Sequence, residues 1–300
     1  MKGGVLSLAM KCKNILASNW QGNLNTIKAV SKGSKQDIYT SKVNYLLNTG
    51  KPYIWVPKDD LHNVNTEVDE RASFAVASPH PGPLANLFRS MRKLPARIAL
   101  SGEVVPVREE KVKSAYESLR EMITAEVTEI AESGYAVSGI LSSSTIGHTS
   151  RSENLVELLD NEENYVVYKF NISSCTFIDG NGGNHEVDLD DFDKSKFDNL
   201  SPLSTKLIDG INQSELRRRA LLVLCFAFLN VNARDAYVHS VDCKGFDVLL
   251  KVAGDNDAYH WKEYRLPLSK DAPDVESFCS QLVQMEEAAL EKVKKLGGLA

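Results

Sequence analysis

The stretch from Asn23 to Ala77 constrains the fold most, because short runs of β-branched and aromatic residues alternate there with turn-forming residues. NLNTIKAVS, DIYTSKVNYLL and PYIWVP each suit a pleated strand, and the Asn48-Thr49-Gly50 cluster between the last two fits a hairpin turn. A β-meander is expected. LHNVNTEVDE then supplies strand-breaking Asn and Asp together with acidic residues suited to a short helix, before SFAVA resumes as a strand.

In ARIALSGEVVPV, Arg97, Ala99, Ser101 and Glu103 alternate against Ile98 and Leu100 until Gly102 breaks the pattern, which reads as a half-exposed strand. The period then changes. Val112, Ala115, Tyr116, Leu119, Met122, Ile123, Val127 and Ile130 recur at helical spacing, and Gly134 stands where a C-cap would stop them. One long amphipathic helix should pack on the barrel. The polar SSSTIGHTSRSEN reads as a mobile loop or an insertion, followed by strands at Tyr165 to Phe170 and near Ser174 to Ile178.

The acidic segment DLDDFDKSKFD, with Ser201-Pro202 after it, reads as a linker over residues 188–202. Beyond it the order changes: a helix from Glu215 to Asn230, strands at Ala236 to Val241, Phe246 to Val252 and Trp261 to Leu268, and a helix from about Pro273. This predicts an α+β chain with four parts. They are a basic N-terminal segment (1–20), a barrel domain (21–187), the linker, and a small α+β domain with a three-stranded sheet (203–300).

Composition excludes several function classes. No apolar run reaches the roughly 18 residues needed to span a bilayer as a helix. A formal net charge of −5 argues against general nucleic-acid binding, which needs surplus Lys and Arg to displace counterions from phosphates. Five cysteines without a CxxC pair suggest neither a zinc knuckle nor a disulfide framework, so reduced thiols are expected. Residues 1–36 contain no Asp or Glu but carry Lys2, Lys11, Lys13, Lys28, Lys32 and Lys35. That is the composition of an organelle transit peptide and equally of an ordinary basic N-terminus.

The stretch LHNVNTEVDERASF resembles the L-x-x-H-T-x-N-L-x-x-D-P-R-A-S-L segment of FMN-binding split barrels of the pyridoxamine 5′-phosphate oxidase-like group, matching through His62, Asn65, Asp69, Arg71, Ala72 and Ser73. GNLNT and SKVNY echo that group's upstream strand pair, and Arg97, Leu100 and Gly102 its R-x-x-L-x-G strand. Asp242, Gly245, Phe246 and Asp247, followed by WKEYRLPL, are similar to the D-x-x-G-F-D signature of the C-terminal heme-utilisation-type domain. Members with both domains include bacterial heme-degrading proteins and the chloroplast glutamyl-tRNA reductase-binding protein. The resemblance implies a split β-barrel with packed helices, a homodimer, FMN or heme as cofactor, a protein partner of the glutamyl-tRNA reductase type, and a place in tetrapyrrole metabolism. It implies a chloroplast or other organelle as the location, with the cytoplasm as the alternative. One departure matters: where relatives open the C-terminal domain with H-M-N-x-D-H, this chain has Gly210-Ile211-Asn212-Gln213-Ser214-Glu215, so both histidines are missing.

Ser41, Lys42, His62, Asn63, Asn65 and Arg71 are the residues such a barrel would use to grip a cofactor phosphate. The competing structural reading pairs Arg71 with Asp69 or Glu70 and gives His62 and Asn65 to the capping and turning of the connecting helix. His148 lies in a loop composed to bind an anion or merely to be solvated. The glycines of DGNGGNHE suit a tight turn, His239 a structural sheet position, and Arg217-Arg218-Arg219 the solvated start of a buried helix. No nucleophile elbow or metal-ligand spacing is present in the sequence. The expectation is a binding or regulatory split-barrel protein without strong catalysis. The alternatives are an FMN-dependent oxidoreductase and a heme oxygenase-like enzyme.

Overall fold

The computed structural model describes residues 6–29, 37–144, 151–254 and 258–296. β1 (Gln21–Ile27), β2 (Ile38–Asn48) and β3 (Lys51–Pro57) form the expected meander. The turn between the last two has Thr49 at φ 47° and Gly50 at φ 82°, the two successive left-handed residues that match the twist of a tight hairpin. β4 (Arg71–Ala77) returns beside β1, and β5 (Arg97–Pro106) and β6 (Tyr165–Ile178) follow. β3 then pairs with β6, closing six antiparallel strands into a barrel, with β7 (Asn184–Val187) appended to β6. The chain is an α+β split barrel joined to a second, three-stranded sheet.

Alternation along the strands fills the barrel with Leu24, Tyr45, Ile54, Phe74, Leu100 and Phe170, all fully buried. β6 is one strand of 14 residues rather than two, and Ser173 is its irregular point: Ser101 pairs with Ser174 but Gly102 with Ile172. A side chain at Gly102 would meet the Asn171 carbonyl oxygen, so the residue that interrupts the sequence pattern is the one that lets the backbones close over the bulge.

Two short helices complete this core. α1 (Leu8–Ala17) lies within the basic N-terminal segment, yet its Cys12 and Leu16 are fully buried in the barrel core. Its Lys13 is buried too: the ammonium donates to the Gly50 carbonyl (2.8 Å) and sits 3.8 Å from the centre of the Phe192 ring. Phe192 belongs to α7 (Leu189–Lys194), a helix within the acidic stretch read as linker, capped by the Asp188 side chain. α7 keeps Asp190, Asp191 and Asp193 in solvent and anchors itself through that aromatic side chain, while Asp198 at the end of the segment is itself buried.

α2 (Leu61–Val68) is the short helix expected before β4, and α3 (Pro83–Ser90) precedes β5. α4 (Glu109–Ala131) is the long amphipathic helix; with α6 (Arg151–Asp160) it packs Leu119, Ile123, Leu155 and Leu158 against Trp55 and Val167 on the outside of the barrel. Gly134 is not its C-cap. The C-cap of α4 is Glu132, and Gly134 is instead the N-cap of α5 (Tyr135–Leu141), with φ −73°. Residues 151–154 of the polar stretch are helical, while His148 lies outside the described residues.

The second unit is built from α8 (Ser201–Gln213), α9 (Glu215–Leu229), a sheet in the order β10 (Tyr259–Pro267), β9 (Gly245–Ala253), β8 (Ala233–Asp242), and α10 (Val275–Leu296). Ser214 both ends α8 and caps α9. Asn212, the one residue this chain shares with the H-M-N-x-D-H motif, is buried and bridges α8 to β8: its amide donates to the Val238 carbonyl (2.7 Å) and its oxygen accepts the Val238 N–H (2.9 Å), beside the irregularity between Val238 and Ser240. Leu84 and Phe88 of α3 and Val137 and Ile140 of α5 belong to this second core, so elements from the barrel half complete it.

Candidate functional site

Four of the six residues proposed for cofactor contact meet at the base of α2. Asp60 caps the helix by accepting the His62 N–H at 2.8 Å. This turns His62 inward, where the ring is wholly buried and meets Tyr39 edge-on at 4.7 Å between centroids. The Asn65 side chain, one turn on, accepts the Ala29 N–H (2.9 Å) and donates to Thr26 Oγ1 (3.0 Å).

These contacts set the direction of every proton in the chain. Thr26 Oγ1 accepts from Asn65, so its own proton goes to His62 Nδ1 at 2.8 Å. Nδ1 is then the acceptor nitrogen, the proton lies on Nε2, and Nε2 donates to Ser41 Oγ at 3.0 Å. Ser41 in turn faces Asp60 Oδ2 at 3.5 Å. Burial lowers the His62 pKa below its ordinary value, against a smaller pull from Asp60, which keeps the ring neutral. Both ring nitrogens are committed, and the ring is not available to ligate heme iron without breaking one of these bonds.

Asn63, in the first turn of the same helix, ties it to the end of β3 and to β6. Its amide nitrogen donates to the Pro57 and Lys58 carbonyls (2.7 and 3.1 Å), while its oxygen accepts the Tyr168 hydroxyl at 2.9 Å. Thr66 donates back to the His62 carbonyl and reaches Tyr168 at 3.4 Å. Thr26, Tyr39, Asp60, Thr66 and Tyr168 are the members of this network that sequence reasoning missed. Thr26 carries a signal, since it follows Leu24 on the buried side of GNLNT; Tyr168 carries none, being 105 residues from its partner.

Lys42 and Arg71 do not join them. Lys42 is an exposed residue on β2, paired in register with Asn23. Arg71 is exposed and clamped by Asp69, with Nη2 to Oδ2 at 2.6 Å and Nε to Oδ1 at 3.0 Å; this holds the Asp69 carboxyl below its ordinary range and raises the guanidinium. A phosphate grip needs hydroxyls and cations converging on one point. These six residues present no such point, and they do not fit an FMN phosphate or an axial heme ligand as they stand.

The C-terminal signature is likewise a structural clasp. Asp242 accepts the Lys244 N–H and the Arg265 guanidinium (2.6 Å), and Arg265 also reaches Asp247 at 3.2 Å. Asp198, Asp242 and Cys243 form the one metal-like cluster among the described residues. Asp198 already accepts the Leu200 and Cys243 N–H groups, and burial together with the Asp198 carboxylate pushes the Cys243 thiol up to about 12, so it stays protonated. The three arginines at the start of α9 are all paired: Arg217 with Glu286, Arg218 with Asp235 and Arg219 with Glu215. No helix among the described residues is long and apolar enough to cross a membrane.

The model of the CREG β-barrel family matches residues 5–124, from α1 through most of α4. No curated protein matches the sequence. Among solved structures, a heme-binding protein from Mycobacterium smegmatis superposes with a TM-score of 0.57 at 16% identity, covering 96% of this chain and 99% of that one. A protein of unknown function from Agrobacterium tumefaciens covers 95% and 97% with a TM-score of 0.41 at 17% identity. ChuZ from Campylobacter jejuni covers 63% of each chain with a TM-score of 0.42 at 11% identity. The first likeness shows a shared fold that runs through both the barrel and the C-terminal unit; at this distance in sequence it carries the fold alone.

Proposed function

We propose that this chain is a split-barrel binding and regulatory protein that acts as a homodimer and has no strong catalytic activity of its own. The observation that supports this reading is the division of α2 into two faces. Inward, His62, Asn65 and Thr66 spend their polar atoms on partners inside the fold. Outward, Leu61, Val64 and Val68 form a helical stripe that is 54%, 53% and 68% exposed, and Ile38, next to the Tyr39 that meets His62, is 65% exposed. An apolar stripe on a firmly anchored helix suits a protein surface rather than a polar substrate. A second copy of the chain is the partner this reading names, because two-fold pairing would set one stripe against the other.

The resemblance to heme- and flavin-binding split barrels adds heme or FMN as the ligand class, an organelle such as the chloroplast as the location, and a protein of the glutamyl-tRNA reductase type as a further partner. Light scattering on the full chain tests the dimer. The parent should be dimeric, and the double variant Leu61→Glu, Val64→Glu monomeric with an unchanged circular dichroism spectrum. Absorbance titration tests the ligand: a Soret band on adding hemin supports heme, and a flavin spectrum supports FMN. A parent that stays monomeric at every accessible concentration removes the dimer, and reductant-driven breakdown of hemin or flavin turnover by the parent removes the non-catalytic reading.

A further inference from the structure

Two of the cysteines meet inside the barrel core. Cys12 belongs to α1 and Cys175 to β6, and both sit in the apolar cluster that contains Leu24, Phe74 and Phe170. They are 0% and 2% exposed, and the Cys12 thiol donates a hydrogen bond to the Cys175 sulfur. Both are free thiols.

Their surroundings set this pair apart from the other three cysteines. The Lys13 ammonium, fixed by the Gly50 carbonyl at 2.8 Å, acts on both sulfurs. The hydrogen bond from Cys12 lowers the Cys175 pKa, Lys13 adds to that, and burial opposes it. The same hydrogen bond, together with burial, raises the pKa of Cys12. Burial pushes the Cys225 thiol up to about 12, and burial with Glu276 pushes that of Cys279 up to about 12. Cys243 stands equally high, as described above. Cys175 is therefore the cysteine held toward its thiolate, the nucleophilic form, and it has a second thiol in contact to trap what it becomes on oxidation.

We propose that Cys12 and Cys175 form an oxidation site, at which a hydroperoxide converts the two thiols into a disulfide that ties α1 to β6. The Cys175 sulfur attacks the terminal peroxide oxygen, the O–O bond breaks, and the leaving oxygen departs with the Cys175 proton, leaving a sulfenic acid. The Cys12 sulfur then attacks the Cys175 sulfur; the S–S bond forms, the S–O bond breaks, and the hydroxyl leaves as water with the Cys12 proton. Two electrons pass from sulfur to oxygen. The bond draws the sulfurs from contact to about 2.05 Å. That movement falls on α1, a helix of 10 residues outside the sheet, because β6 is fixed by its pairing with β3, β5 and β7. In the reduced chain α1 is held by its packing and by hydrogen bonds from Lys13, to Asn14 and to the Leu16 carbonyl. Oxidation adds a covalent tie.

The full chain tests this with hydrogen peroxide, a probe little larger than water that can enter through local opening of a sealed core. The protein is reduced with dithiothreitol, freed of it, treated with peroxide, unfolded, capped with N-ethylmaleimide and digested for mass spectrometry. A linked Cys12–Cys175 peptide pair should appear, lighter by two hydrogens than the free peptides and restored by dithiothreitol. It should form at least about tenfold faster than the equally buried Cys225 and Cys279 thiols are lost. The oxidised chain should unfold at a higher urea concentration than the reduced one, because the bond joins residues far apart in the sequence and restricts the unfolded state. Cys12→Ala should stop the reaction at a Cys175 sulfenic acid that dimedone captures, and Cys175→Ala should leave Cys12 unreacted. The linked peptide is read on the parent, so the outcome does not depend on how either variant folds. Peroxide that leaves both thiols free, that consumes Cys225 or Cys279 as fast, or that gives a disulfide with no rise in the urea midpoint overturns the proposal.

Discussion

Replacing Thr26 by valine removes the hydroxyl that links Asn65 to His62 while keeping the shape of a side chain that is almost wholly buried. The ring Nδ1 of His62 loses its donor and the Asn65 amide loses its acceptor, both inside the protein. At about 1–3 kcal/mol for each stranded group, and with part of that returned by the extra buried methyl, the net loss should be about 2–4 kcal/mol. Thr66→Val is the matched control. Its hydroxyl donates to carbonyls of its own helix, which keep their helical partners, and makes one long contact to Tyr168, so about 1 kcal/mol or less is expected. Urea unfolding followed by far-ultraviolet circular dichroism at neutral pH, with the slope checked for constancy, reads both. Equal losses for the two variants would refute the assignment of Thr26 as the link between α2 and β1. A His62→Phe change on the Thr26→Val background should recover part of the loss, since apolar partners leave nothing unpaired on either side of that bond.

The remaining predictions concern acid, close packing and the α7 anchor. Burial lowers the pKa of His62, and burial with the neighbouring His239 lowers that of His80 to about 4. The unfolded chain protonates these rings near pH 6.5 and the folded chain only below it, so stability should fall as pH drops from about 6.5 toward 4, and His80→Phe should flatten part of that slope. Gly102→Ala forces a Cβ onto the Asn171 carbonyl and should cost several kcal/mol in the same urea assay; a loss near the ~1 kcal/mol of an ordinary strand substitution would contradict the tight bulge. Phe192→Ala should cost about 3–5 kcal/mol if α7 is part of the barrel core, whereas a solvated linker would lose almost nothing.

Much of the fold was legible because its strands and its longest helix announce their periods. The Asn48-Thr49-Gly50 turn, β1 to β5, α4 and the three C-terminal strands all follow from alternation and capping chemistry that operate over a few residues. Elements that depend on distant partners were hidden. Lys11 and Lys13 give α1 the look of a basic tail, and only the Gly50 carbonyl and the Phe192 ring, on other parts of the chain, explain why Lys13 is buried. α7 surrounds its one buried side chain, Phe192, with three exposed aspartates. At the site, sequence brought His62, Asn63 and Asn65 together by proximity but could not say what they bond: Thr26 and Ser41 lie 36 and 21 residues from His62, and no spacing rule reaches that far. Arg71 needed only its near neighbour Asp69, and there the local structural reading was sufficient.

The second hydrophobic core contains Leu84, Phe88, Val137 and Ile140, which precede the rest of that core by some 60 residues or more. A ribosome delivers α3 and α5 long before α8, β8 to β10 and α10 exist to cover them. Their apolar faces must therefore wait, open to water or to a chaperone, until the last third of the chain has emerged. Severing the chain within residues 188–202 would leave one fragment with uncovered helices and the other with an unroofed sheet, so the two units are better regarded as halves of one folding event than as beads on a string.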